Sequence, residues 1–249
     1  MILWQQPALG SSMNKKKWAI FGISFQELAV ADVLRQITFS FQQNRPLRIS
    51  TVNPEFLVYA RKEKAFSQSL QTADIRVVDG FGLWLSLYVQ GFRGKRITGV
   101  ELTGHILALA EKLEKKVAII LPVSGLSSKE QVISALSKKY PKLAPDVYYE
   151  DEWHQDSVQK NYDVFLFALG MPEQEYAGEK VTTGIRIGVG GALDFLVGTQ
   201  TRAPKLFQTI GMEWLWRLLL QPKRIKRIWN AVVVFPLLVI FDKKRAGAA

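Results

Sequence analysis

Asp79 is the residue best suited by type and place to move a proton. It follows Ile75 to Val78, a strand candidate, and opens Asp79-Gly80-Phe81-Gly82. A carboxylate at a strand end can take the proton of a substrate hydroxyl. An Asp before Gly also makes a turn, and spacing alone favours the turn. Thr51 and Asn53 point the same way along an extended chain. They can hydrogen-bond a sugar together, or form an Asx-type turn before Pro54. Arg96, in Lys95-Arg96-Ile97-Thr98-Gly99, can pair with a phosphate or a carboxylate, although a solvated surface arginine is the commoner case. Gln174, in Gly170-Met171-Pro172-Glu173-Gln174-Glu175, can donate and accept at once, which suits a sugar. In Gly188-Val189-Gly190-Gly191-Ala192-Leu193-Asp194-Phe195 a strand runs into a glycine pair and then a helix. The backbone of Gly190 and Gly191 can approach a phosphate or ribose closely, and Asp194 can take ribose hydroxyls. The same pattern also makes a plain tight turn with a carboxylate at a helix start.

Composition narrows the chemistry. The chain has 249 residues, 48% hydrophobic and 22% charged, enough apolar material for a full core. There is no cysteine, which excludes a disulfide scaffold, a thiol nucleophile and Cys-ligated metal. The two histidines, His105 and His154, lack the spacing of a metal motif, and His105 lies in a helical apolar pattern. Catalysis, if any, must therefore rest on carboxylates, arginines, hydroxyls and amides. The net charge is +11. Residues 201–249 carry ten basic and two acidic side chains, or +8, so the basic character sits in the last fifth of the chain. Such a balance points to a polyanion, an anionic membrane or a phosphorylated substrate.

The elements that must position these residues alternate. Strands are expected at Trp18–Ile23, Arg48–Val52, Ile75–Val78, Lys116–Leu121, Asp146–Tyr149, Asp163–Ala168 and Gly184–Val189. Helices are expected at Ala29–Phe41, Glu55–Leu70, Leu83–Tyr88, Glu101–Leu113 and Ser128–Lys139, the last capped by Ser127 or Ser128. This alternation predicts an α/β fold with a mostly parallel sheet and helices on both faces. In such sheets ligands sit at the carboxyl ends of the strands. The segments there are polar or glycine-rich, without a Walker A loop or a dinucleotide fingerprint. Three regions are expected: an N-terminal extension (1–17), an α/β catalytic core (18–200) and a basic C-terminal appendage (201–249).

The appendage reads as a basic amphipathic helix from Glu213, broken or kinked at Pro222. At about 100° per residue, Trp214, Leu218, Ile225, Trp229 and Val232 share one face if the phase survives the proline. Arg217, Arg224 and Arg227 fall on a neighbouring face, where they can grip a diphosphate. The apolar run Ile228 to Phe241 is too short to span a membrane, which takes about 20 residues. Bracketed by basic clusters, it reads as a membrane-surface segment. Each basic residue near an anionic leaflet adds about 1 kcal/mol.

Together these pieces resemble the WecG/TagA/CpsF family of bacterial glycosyltransferases. The resemblance runs from about Trp18 to about Arg227. It is carried by Thr51-Val52-Asn53-Pro54-Glu55, Val78-Asp79-Gly80-Phe81-Gly82, Arg96-Ile97-Thr98-Gly99, Ala168 to Glu175, Val189 to Asp194, Arg202-Ala203-Pro204-Lys205, and Glu213 to Leu218 running on to Pro222-Lys223-Arg224. Seven pieces in order make a specific signal. Two segments depart from the family pattern: Leu121 to Gly125 is less glycine-rich, and Tyr148 to Asp151 lacks a Gly-aromatic pair.

The resemblance implies a Rossmann-like core and an inverting, metal-independent hexosyltransferase. It implies a UDP-sugar donor, of N-acetylmannosaminyl or related hexosyl type, and a polyprenyl-diphosphate-linked saccharide acceptor. The setting would be surface polysaccharide or teichoic acid synthesis, with the protein peripheral on the cytoplasmic face of the plasma membrane. Asp79 matches the catalytic base. Thr51, Asn53, Arg96 and Gln174 match substrate-pocket residues, and Arg217, Arg224 and Arg227 match appendage arginines that complete the site. Two rivals remain. A nucleic-acid-binding protein would use the basic tail but has no need of an apolar one, and nucleic acid is not expected as a partner. A non-catalytic membrane-bound scaffold would turn over no UDP-sugar.

Overall fold

The computed structural model describes residues 18–153, 161–204, 207, 212–220, 222 and 225–246, without the side chains of Glu213, Arg217, Leu220 and 243–246. The N-terminal extension and His154 lie outside the described residues. The chain opens with a hairpin, β1 (Trp18–Ile20) and β2 (Ile23–Phe25), paired antiparallel. Helix α1 (Val30–Gln42) leads to β3 (Leu47–Val52). Helices α2 (Pro54–Ala60) and α3 (Lys64–Thr72) connect to β4 (Ile75–Val78). Helices α4 (Phe81–Tyr88) and α5 (Gly99–Lys112) carry the chain to β5 (Val117–Leu121). Then come α6 (Lys129–Lys139), β6 (Asp146–Tyr149), β7 (Val164–Phe167), α7 (Glu173–Lys180), β8 (Ile185–Gly188) and α8 (Ala192–Val197). The C-terminal part holds α9 (Glu213–Leu220), α10 (Ile225–Trp229), a π-helical segment Asn230–Val234, and α11 (Phe235–Ala246).

The main sheet has six strands, all parallel, in the order β4-β3-β8-β7-β5-β6. This is the expected α/β, Rossmann-like architecture. The inner strands read as nearly unbroken apolar runs because both faces are covered. On one face Ile49, Val77, Ile119, Leu166 and Ile187 pack against α1, α5, α6 and α8. On the other, Val52 and Val78 meet α2, α3, α4 and α11, while Ile120 and Phe167 meet the α7 region.

Three local departures from the expected elements have physical causes. The run Trp18–Ile23 is a hairpin rather than one strand, because Phe21 (φ 51°) and Gly22 (φ 79°) both take positive φ and reverse the chain between β1 and β2. The segment 55–70 is two helices. Phe66 packs edge-on against Phe56 at 5.6 Å and Tyr59 at 5.1 Å between ring centroids. A single helix would separate residues 56 and 66 by about 15 Å along its axis. In the C-terminal part the described residues carry no single stripe through Pro222: α9 is Glu213–Leu220, Trp214, Leu218 and Val232 are half-buried, and Ile225 and Trp229 are exposed. The residues that dock this part on the core are Phe235 and Val239, both buried. Phe235 meets Phe21 edge-on at 6.1 Å. Leu237, Ile240 and Phe241 face outward. Among the described residues no helix is long and apolar enough to cross a membrane.

Several arginines are spent inside the fold. Arg76 donates to the carbonyls of Ser24 (2.7 Å), Leu70, Gln71 and Ala73, tying the hairpin to the sheet edge. Arg48 donates to Thr72 Oγ1 at 2.6 Å and to Ser69, and Arg186 to the Val181 carbonyl. Docking of the C-terminal helix through Phe235 gives a stability prediction. Phe235→Ala should lower the unfolding free energy by about 3 kcal/mol. Phe241→Ala, at an exposed position of the same helix, should change it by no more than about 0.5 kcal/mol. Paired chemical denaturation curves measure both.

Candidate active site

Five of the parallel strands point their carboxyl ends at one cavity of about 360 Å³. Its lining includes Thr51 at the end of β3 and residues of the segments after β3 (Asn53), β4 (Asp79), β5 (Ser124, Gly125), β7 (Gly170, Gln174) and β8 (Gly190, Gly191, Asp194). A second cavity of about 330 Å³ lies between the start of α4 and the C-terminal helices. Its walls are mostly apolar, with Pro54, Phe81, Trp214, Ile228, Val232 and Pro236. Asn53, Asp79 and Arg227 line both cavities, so the two meet at Asp79.

Asp79 is placed by backbone bonds. Its N–H donates to the Val52 carbonyl at 2.8 Å, and one carboxylate oxygen, Oδ2, accepts the Gly99 N–H at 3.2 Å. Gly99 is the first residue of α5, whose N-cap is Thr98. Ile97 N–H donates to the Val78 carbonyl at 3.0 Å, which brings the segment carrying Arg96 alongside. Gly80 sits at φ +87° and a Cβ there would lie 2.9 Å from Pro54 Cδ, so the turn after Asp79 needs glycine. The turn reading of Asp79-Gly80 holds, and the turn leaves the carboxylate at the cavity wall.

The other expected residues divide. Thr51 is buried and its hydroxyl donates to the Gly188 carbonyl at 3.0 Å. Asn53 is the N-cap of α2, accepting Phe56 N–H at 3.2 Å, while still lining both cavities. Gln174, Gly190, Gly191 and Asp194 line the first cavity. Asp194 also accepts a hydrogen bond from Ser127 at 2.6 Å, which ties the loop after β5 to α8. Arg96 lines the second cavity. Arg227 lines both and donates from Nε and a terminal nitrogen to the two oxygens of Glu55, at 2.7 and 3.1 Å. The Arg217 side chain and all of Arg224 lie outside the described residues.

Four residues gained no role from spacing. Glu55 anchors Arg227, Arg202 lines the first cavity, and Ser50 and Glu175 form a buried pair behind Gln174. Glu55, Glu175 and Arg202 stand inside motifs that were already visible, whereas Ser50 had no signal. Chemically, a polar cavity, an apolar cavity and one carboxylate between them suit proton removal from a hydroxyl at a junction of two substrates.

Residues 18–248 match the glycosyl transferase WecG/TagA/CpsF family. The chain belongs to this family. Relatives from three Staphylococcus aureus strains (MRSA252, NCTC 8325 / PS 47 and COL) are each 27% identical to it, with 95% of this chain and 97% of theirs aligned. Each is an N-acetylglucosaminyldiphosphoundecaprenol N-acetyl-beta-D-mannosaminyltransferase. The chain is accordingly a glycosyltransferase, and its family match takes in both cavities.

Burial pushes the Glu175 carboxyl of this transferase above the ordinary glutamate value of 4.5, with the Glu179 charge acting the same way. The Ser50 hydroxyl, the Arg48 charge and the Gln174 amide act in the opposite direction. A carboxyl raised in the folded state holds its proton more tightly there than in the unfolded chain. Its stabilising contribution is complete below about pH 4.5 and is lost as pH rises through the folded-state value. Glu175→Gln does not titrate. Thermal melts across about pH 4.5 to 8 should show the variant gaining relative to the unmodified protein as pH rises.

Proposed function

We propose that this transferase moves an N-acetylmannosaminyl or related hexosyl group from a UDP-sugar to a polyprenyl-diphosphate-linked saccharide, with inversion. The observation that carries this reading is the position of Asp79 where a polar and an apolar cavity meet. In the proposed reaction Asp79 takes the proton from an acceptor hydroxyl. The resulting oxygen attacks the anomeric carbon of the donor. A new glycosidic bond forms as the bond to UDP breaks, and UDP leaves with the electron pair. The donor occupies the polar cavity, where Arg202 and the glycine turn offer partners for a diphosphate. The acceptor enters by the apolar cavity, with Arg96 and Arg227 at its diphosphate and Phe81, Trp214 and Ile228 along the start of its lipid. The activity of the Staphylococcus aureus relatives supports the acceptor class.

The charge of the leaving diphosphate is met by arginines, and the proposal includes independence from metal ions. It also includes peripheral binding at the cytoplasmic membrane face through the C-terminal part. That placement is supported by the exposed Trp229, Leu237, Ile240 and Phe241 and by the basic charge around them. Surface polysaccharide or teichoic acid synthesis is the setting that such an acceptor serves.

UDP release with a synthetic N-acetylglucosaminyl-diphospho-lipid tests the reading. Asp79→Asn should lower kcat by about 10³-fold, with UDP-sugar binding retained. Near-normal turnover in this variant would remove Asp79 from the role. The unmodified enzyme should keep its rate in excess chelator. A second pair of variants separates the cavities: Arg96→Gln should raise the acceptor KM about tenfold and leave the donor KM nearly unchanged, and Arg202→Gln should do the reverse.

A further inference from the structure

The side-chain amide of Gln174 occupies an unusual place. Gln174 is only 3% exposed and lines the first cavity, yet its carbonyl oxygen Oε1 is buried without a hydrogen-bond partner among the described residues. A buried acceptor left unpaired is costly, and native structures keep few of them. The amide lies against two glycines. A Cβ at Gly188 would fall 2.5 Å from Nε2, and one at Gly190 would fall 3.1 Å from Oε1. Gly190 itself belongs to the cavity wall, at φ +46°. Gln174 and Gly190 thus line the same cavity, and Oε1 lies 3.1 Å from where a side chain at position 190 would begin.

The orientation of the amide is set from behind. Glu175 is 2% exposed. Its Oε2 accepts the Ser50 hydroxyl at 2.5 Å, and its Oε1 accepts Gln174 Nε2 at 3.4 Å. Both Glu175 oxygens accept here, so the NH₂ end of the amide is turned toward the carboxyl group. The carbonyl end must then face the glycine turn. Ser50 fixes Glu175 in turn, and Arg48 adds a hydrogen bond to the Glu175 main-chain carbonyl at 3.4 Å.

We propose that Glu175, held by Ser50, is a positioning residue that presents the Gln174 carbonyl oxygen as a hydrogen-bond acceptor for an N–H or O–H group of the sugar-nucleotide donor. This rests on the donor occupying the first cavity. Its consequence is polarity: the site selects a donor group that gives a proton at this point, and rejects a group that only accepts.

A double-mutant cycle tests it. Binding of UDP and of UDP-N-acetylmannosamine is measured by calorimetry, with KM and kcat from UDP release and melts to confirm folding. Gln174→Met removes the acceptor at similar volume and should raise the donor Kd about tenfold, a loss typical of one good hydrogen bond. Glu175→Gln keeps the shape but frees the amide to turn. It should raise Kd and donor KM several-fold, change kcat less, and add nothing in the Gln174→Met background. Ser50→Ala should weaken binding in the same direction and serves where Glu175→Gln does not fold. Weakening for both ligands assigns the contact to the nucleotide, and weakening for the sugar nucleotide alone assigns it to the sugar; either supports the proposal. Unchanged Kd in Gln174→Met, or additive losses in the double variant, would overturn it while leaving the transferase reading intact. If the unmodified protein binds neither ligand, both readings fail.

Discussion

The hydrogen bond from Gly99 N–H to one oxygen of Asp79 joins parts of the chain that are twenty residues apart in sequence. It exists only because three things agree. Strand β4 must lie beside β3 in the register that pairs Val52 with Val78. The chain must turn sharply at Gly80, which positive φ and the nearby Pro54 ring restrict to glycine. Helix α5 must start at Gly99, where a Cβ would sit 3.6 Å from Asp79 Oδ2 and 3.9 Å from Thr51 Cγ2. Move any of these and the carboxylate no longer stands where two cavities open onto it. The apolar packing of both sheet faces serves this junction by fixing strand ends, and the loops that follow supply the chemistry.

The C-terminal part completes one of those cavities and does so by a divided use of its apolar residues. Phe235 and Val239 are spent on the core, next to Phe21, Leu83 and Leu87. That docking sets Trp214, Ile228 and Val232 opposite Phe81, and brings Arg227 to Glu55. Glu55 is the residue directly after Asn53-Pro54, so the anchor for the appendage begins where a cavity wall ends. The pairing is bidentate, which fixes the direction of the guanidinium as well as its position. The way to Asp79 through this cavity runs between an apolar wall and two cations, Arg96 and Arg227.

Much of this was legible in residues alone. Alternating apolar runs and helical periodicity gave the parallel sheet, and the segments after each strand gave the cavity lining, because a parallel sheet leaves its polar loops at one end. Thr51, Asn53, Asp79 and Gln174 were therefore findable as a group. The hairpin turn was hidden because Phe21, an apolar residue at positive φ, looks like strand. The break in 55–70 was hidden because three aromatic side chains from two helices had to meet before the chain bent. The phase of the C-terminal helices depends on a π-helical turn that no period of 3.6 anticipates. Ser50 gave no signal, since one serine in an apolar strand acquires meaning only when α7 delivers Glu175 to it.

Charge shows the same limit in sharper form. Arg48, Arg76 and Arg186 count toward the positive balance just as Arg96, Arg202 and Arg227 do. The first three end their hydrogen bonds on carbonyls and hydroxyls within the fold, and burial is the leading cause that lowers the pKa of Arg76 and Arg186. Such a guanidinium holds loops together and is not available to an anion. The second three line cavities. A count of basic residues therefore does not distinguish an arginine that ties the fold together from one at a cavity wall. What separates the two sets is place: the first three are packed against the chain's own carbonyls and hydroxyls, and the second three line the cavities, with Arg227 held there by Glu55.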